Sequence, residues 1–128
     1  MKKSGLYFLV ISLFSACYKD LPANDDFLLC TENFVSYTLE IPGAALDAFF
    51  TYRVATQDSL RLETLFLDSS LYPVLNDLYK DSLVGGEESF RFMGRRGNTA
   101  IDVPFVFTSD ECHIVKISGP EVYDPSGK

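Results

Sequence analysis

Cys112 and His113 stand side by side, and a thiol next to an imidazole is the raw material of nucleophilic dyads and of metal sites. On a regular strand neighbouring side chains point to opposite faces, so this imidazole would not meet this thiol. His113 is also the only histidine, and no C-x-x-C accompanies it to complete a zinc site. The pair reads as a structural cysteine beside a packed or surface histidine. The alternation of His113 with Val115 and Ile117 is a core-facing phase that would put Cys112 outside. Asp77, Asp81 and Glu88 occupy positions 1, 5 and 12 of a would-be calcium loop, but Tyr79 stands at position 3 and Ser82 replaces the glycine at 6. They read as helix surface charge, with Asp77 bonding nearby backbone or facing solvent. Arg91, Arg95 and Arg96 form the only basic cluster, placed where a hairpin tip could offer guanidinium groups to a phosphate or carboxylate or could simply be solvated. No G-x-S-x-G, H-E-x-x-H, phosphate-binding loop or dinucleotide fingerprint occurs, and no metal or cofactor is expected. Carboxylates such as Asp77, Asp110 or Glu111 would have to carry any hydrolytic chemistry.

The elements that must position these groups are mostly strands. Val35, Tyr37, Leu39 and Ile41 alternate with Ser36, Thr38 and Glu40 as a half-buried strand requires, and Pro42-Gly43 breaks the run. Leu46, Ala48, Phe50, Tyr52 and Val54 form a second alternating set against Asp47, Thr51 and Arg53. Gln57-Asp58-Ser59 turns the chain into a third run, Leu60 to Leu67, and three successive strands imply antiparallel hairpins. Leu71, Val74, Leu75, Leu78 and Tyr79 then fall at helical spacing, with Ser69 or Ser70 as cap, Pro73 in the first turn and Gly85-Gly86 at the end. Phe90-Arg91-Phe92 is a short strand, Arg95-Arg96-Gly97-Asn98 a turn, and Ile101, Val103, Phe105 and Phe107 another strand. Pro104 marks an edge or bulge, and a last strand runs from Cys112 to Ser118. Six short strands and one short helix predict an all-β, two-sheet antiparallel β-sandwich. Its seven tyrosines and eleven phenylalanines would suit a sugar-stacking surface but sit largely at alternating core positions.

The N-terminus carries an address. Lys2-Lys3 precede an uncharged run from Leu6 to Phe14, too short to span a bilayer and laid out as a secretory signal peptide. Its end, Leu13-Phe14-Ser15-Ala16-Cys17, resembles the lipobox of bacterial lipoproteins, in which the cysteine is acylated and becomes the new N-terminus. Phe14 departs from the leucine most common there, and it also disfavours an ordinary cut after Ala16. The resemblance implies residues 1–16 as signal, Cys17 as the lipidation site and 17–29 as a tether. An exported protein with three cysteines has one left over; lipidation of Cys17 removes it and leaves Cys30 and Cys112 as a pair for a disulfide. Loss of the signal also removes Lys2 and Lys3, leaving 9 basic and 18 acidic side chains, a net charge of −9. Nucleic acid and anionic membrane surfaces are then poor partners.

The succession Asn76-Asp77-Leu78-Tyr79, Phe90-Arg91-Phe92-Met93-Gly94, Pro104-Phe105-Val106-Phe107, Asp110-Glu111-Cys112-His113-Ile114 and Ser118-Gly119 resembles small lipoproteins of the Bacteroidetes group. These are similar in layout to transthyretin-like or carboxypeptidase-regulatory-like sandwiches. The resemblance implies a sandwich domain over residues 30–119 and a tail over 120–128. The enzymatic transthyretin relative, a ureide hydrolase, needs several histidines and a C-terminal Tyr-Arg-Gly-Ser, and this chain ends Tyr123-Asp124-Pro125-Ser126-Gly127-Lys128. Tyr18, rather than Asp, behind the lipidated cysteine favours the outer membrane, facing the periplasm or the surface. The expectation is a non-enzymatic envelope lipoprotein, held on its membrane by N-terminal lipid, that binds or scaffolds an envelope protein or glycan. A small carboxylate-dependent hydrolase is the alternative.

Overall fold

A β-sheet with one apolar face has to cover that face, and this chain does so with a second sheet. The computed structural model describes residues 30, 32–63, 70–83 and 86–127. Among them are seven strands: β1 Ser36–Glu40, β2 Ala48–Arg53, β3 Asp58–Leu60, β4 Leu71–Asn76, β5 Glu88–Arg96, β6 Thr99–Ser109 and β7 Ile114–Ser118, with a 3-10 helix at Asp77–Leu83. Five form an antiparallel sheet in the order β3-β2-β5-β6-β7, and β1 pairs antiparallel with β4 in a separate two-stranded sheet. The result is an all-β, two-sheet antiparallel sandwich with one short helix.

The core lies between the sheets. Phe90, Phe92, Phe105 and Phe107 from the large sheet meet Leu39, Ile41, Tyr72, Val74 and Leu75 from the small one, all buried. Each such side chain contributes about 1.5–3 kcal/mol on leaving water. The aromatic rings pack on one another rather than merely filling space: Phe105 stacks on Phe107 at 5.8 Å and Phe90 meets Phe107 edge-on at 5.7 Å. Gly119 is fixed by this packing, because a Cβ there would lie 2.1 Å from the Phe105 ring and φ is +132°.

Several expected elements are shifted. The helical spacing of Leu71, Val74 and Leu75 belongs to a bulged strand. Thr38 pairs with Pro73 and Tyr37 with Leu75, so Val74 has no partner in β1 and both it and Leu75 turn inward. Two adjacent inward residues in a strand imitate the i, i+3, i+4 signature of a helix. The bulge also leaves the Val74 carbonyl outside the ladder, and the buried Thr51 hydroxyl of β2 donates to it at 2.6 Å. That bond reverses the expected phase of β2: Thr51 and Phe49 face the core, Phe50 and Tyr52 lie on the outer face, and Val54 is exposed.

β1 and β2 do not form a hairpin; β1 crosses to β4, and only β2–β3 among the first three strands are hairpin partners. The turn that closes them is 54–57, with Gln57 at φ 58°, so Asp58 and Ser59 are strand rather than turn. The expected run to Leu67 is strand only as far as Leu60, and its part beyond Glu63, like Ser69 and Gly85, lies outside the described residues. Arg95 and Arg96 belong to β5, and the hairpin closes through Gly97-Asn98 with Gly97 at φ 59°. Pro73 sits in β4, which has only β1 beside it among the described residues. Pro104 sits in the stretch of β6 before its pairing with β7 begins, two residues from a bulge. β7 starts at Ile114, which is buried, while Ile117 is exposed, the opposite of the phase expected from His113. The tail touches the small sheet: the Glu40 N–H donates to the Glu121 carbonyl and the Tyr123 N–H to the Glu40 carbonyl.

Candidate functional site

Two clusters hold the residues singled out by sequence. The first is a corner where β1, the 3-10 helix and β7 meet. Cys30 and Cys112 are disulfide-bonded there. Asp110 Oδ1 accepts the N–H groups of Cys112 and His113, each at 2.7 Å, a short loop held by one carboxylate. Asp77 opens the 3-10 helix, and its carboxylate accepts the Val35 N–H at 2.8 Å, the Ile114 N–H at 2.9 Å and contacts His113 Nδ1 at 2.7 Å. Its own N–H donates to the Val35 carbonyl. One side chain thus ties the entry of β1 to the entry of β7. With the carboxylate as acceptor, the imidazole proton belongs on Nδ1.

Burial pushes the Asp77 carboxyl up, yet the two backbone N–H groups and His113 outweigh it and hold the group below the usual carboxylate range. Asp110 is likewise held low, by the N–H groups of His113 and Cys112. A general acid needs the opposite shift. Asp77 bonds backbone as expected, but across the fold rather than locally. The would-be calcium ligands are dispersed: Asp81 is exposed, and Glu88 pairs with Arg53 at 2.6 Å. Among the described residues no group of three or more His, Cys, Asp or Glu is arranged so as to hold a metal ion.

The three arginines do not converge either. Arg91 makes a two-pronged pair with Asp102, at 2.8 and 2.6 Å, and Arg95 is exposed on the same face. Arg96, on the other face of β5, donates through Nη1 to the Pro42 carbonyl at 3.0 Å; its Nε and Nη2 are buried without a hydrogen-bond partner. Its charge also helps hold Asp124 below the usual range, after the two bonds from Ser126. Arg96 therefore fastens the Pro42 turn and the tail rather than presenting a guanidinium to solvent. Cys17 lies outside the described residues. No described helix is long and apolar enough to cross a membrane.

The second cluster was not foreseen. A groove of about 580 Å³ runs across the outer face of the β1–β4 sheet. Its floor follows from the strand register: Ser36 lies opposite Asn76 and Thr38 opposite Pro73, all outward, with Leu71 beyond. Phe34, Leu78 and Tyr79 line it as well, together with residues 61–63 after β3. Phe34 is 58% exposed, Leu71 41% and Leu78 77%, half of the large hydrophobics that the described surface leaves in water. That volume suits a small ligand.

Between these apolar groups stand polar ones the fold does not use. The hydroxyls of Ser36, Thr38 and Tyr79 and the charges of Arg61 and Glu63 have no side-chain hydrogen bond or ion pair among the described residues. Asn76 accepts the Leu78 N–H through Oδ1, which leaves its amide N–H₂ to donate. An occupant that covered these groups without bonding them would lose about 1–3 kcal/mol at each. Burying one methylene returns only about 0.8 kcal/mol. The alternation of Ser36 and Thr38 was the legible trace of this face, but the Phe34–Leu78 contribution depends on the 3-10 helix lying where a longer helix was expected.

The chain matches no family model, no curated protein and no solved structure.

Proposed function

We propose that the protein is a non-enzymatic module of the bacterial cell envelope, anchored to the outer membrane by lipid on Cys17, that binds its ligand in the groove on the β1–β4 sheet. The observation that carries this reading is the groove itself, with exposed apolar side chains around hydrogen-bonding groups that the fold leaves unused. The residues that could do chemistry are, by contrast, engaged in holding the corner together. The anchor rests on the Leu13-Phe14-Ser15-Ala16-Cys17 motif and on the pairing of the other two cysteines. The resemblance to small Bacteroidetes lipoproteins supports the same compartment.

The test has two arms. Palmitate labelling of cells should mark the wild-type protein and not Cys17→Ala; equal labelling would remove the anchor. Hydrogen exchange of the lipidated protein in nanodiscs, with fractionated envelope glycans and lipids added, should slow amides at Ser36–Thr38 and Asn76–Tyr79. Protection confined to the Arg91–Arg96 hairpin, or none anywhere, would sink the groove reading.

A further inference from the structure

We infer that the ligand of this groove is an uncharged saccharide; the inference rests on the groove being the binding site and adds the class of molecule it takes. The lining carries one positive and one negative side chain, Arg61 and Glu63, which cancel, within a domain whose overall charge is strongly negative. An acidic ligand therefore meets repulsion from the domain without a net positive site to offset it, and a cation, though drawn by the domain's charge, finds in the lining one carboxylate offset by the Arg61 charge. Neutral ligands are what the electrostatics leave.

Among neutral ligands the polar pattern decides. Ser36 and Thr38 offer hydroxyls that both donate and accept, Asn76 offers an amide donor, and Glu63 and Arg61 add an acceptor and a donor fork at the rim. An acyl chain would cover these groups and bond none of them. A peptide strand docks by its backbone along a sheet edge, and a peptide helix needs a continuous apolar floor. This groove lies on the outer face of the sheet, where β1 presents Ser36 and Thr38 and β4 presents Leu71, Pro73 and Asn76, so its apolar floor is interrupted by polar side chains. A sugar ring matches both halves of the lining, because its C–H face can lie on Phe34 or Leu78 while its hydroxyls meet the polar row.

The experiment measures binding of the lipidated protein in nanodiscs by calorimetry. The probes are neutral oligosaccharides of glucose, mannose, xylose and N-acetylglucosamine, an oligogalacturonate, palmitate, and a neutral apolar hexapeptide. At least one neutral oligosaccharide should bind, and Ser36→Ala with Thr38→Val should weaken it tenfold or more, with Leu78→Ala weakening it about fivefold. Arg91→Ala should leave it unchanged. The Ser36→Ala/Thr38→Val pair separates the classes, since it makes the groove more apolar and would tighten an acyl ligand. Palmitate or the peptide binding in place of saccharide, or the oligogalacturonate binding more tightly than every neutral sugar, would overturn the saccharide inference and leave the groove as a binding site. Binding of saccharide unaffected by the groove variants would overturn the location. No binding by any probe would overturn the inference, while protection of the groove by an envelope fraction would keep the binding reading alive.

Discussion

The corner around Asp77 and the groove on the other side of the same segment are built from similar residues and used in opposite ways. In the corner two carboxylates are engaged: Asp77 serves two strands and an imidazole, and Asp110 holds the loop that carries Cys112, while Glu111 beside it is exposed. In the groove, a few residues away along the chain, Ser36, Thr38 and Tyr79 keep their hydroxyls unspent. The difference teaches where binding capacity survives folding. Polar groups that have already been satisfied internally can stabilise but have nothing left to offer a ligand, whereas groups satisfied only by solvent can exchange water for something else. Chemistry-bearing residue types pointed to the corner, and the unspent hydrogen bonds point to the groove.

The strongest way to break that contrast is to remove the acceptor at the corner. Asp77→Ala removes the acceptor of the part-buried Val35 and Ile114 N–H groups and the contact to His113 Nδ1, so unfolding free energy should fall by about 3–5 kcal/mol. Urea denaturation measures it, and a loss under 1 kcal/mol would mean that the corner is not the structural node described. Replacing both disulfide cysteines comes next. Cys30 and Cys112 are 82 positions apart, and opening a loop of that size should cost about 2–4 kcal/mol. The same denaturation under non-reducing conditions checks it, and a variant as stable as the parent would show the bridge to be dispensable.

Much of this was legible from sequence. The alternation Ile101, Val103, Phe105, Phe107 places all four in the core because Asp102 and Pro104 between them disfavour the other phase. β2 was harder. Phe49 and Phe50 offer apolar side chains to both faces, and the choice falls on the face where Thr51 can satisfy the Val74 carbonyl, a partner 23 positions away that no local pattern announces. The segment 71–79 failed for the complementary reason: a bulge turns the adjacent Val74 and Leu75 inward together, as a helix turn would, while Leu71 and Leu78 point outward. The disulfide was legible by counting cysteines, but Asp77 as the bond between β1 and β7 was not, because its partners are backbone groups 42 and 37 positions away.

Acid should erase the corner's advantage. Asp77 is held below its ordinary range in the fold, so its contribution is complete above the unfolded carboxyl value of about 4 and is lost as pH falls through the lower folded value. The stability gap between wild type and Asp77→Ala should therefore narrow as pH falls below about 4. Asp110 titrates in both proteins and largely cancels from the difference. A gap that widened in acid would reverse the sign of the argument.

The smallest effect is expected in the groove, and it is the most informative. Leu78 is 77% exposed and the Ser36 and Thr38 hydroxyls have no hydrogen bond among the described residues, so Leu78→Ala and Thr38→Val should each change stability by no more than about 0.5 kcal/mol. Denaturation midpoints that stay put while ligand affinity falls would separate the two regions cleanly: one holds the molecule together, and the other is free to hold something else. If Thr38→Val instead destabilised the fold by as much as opening the disulfide does, the hydroxyl would have a structural partner after all, and the contrast between an engaged corner and an available groove would fail.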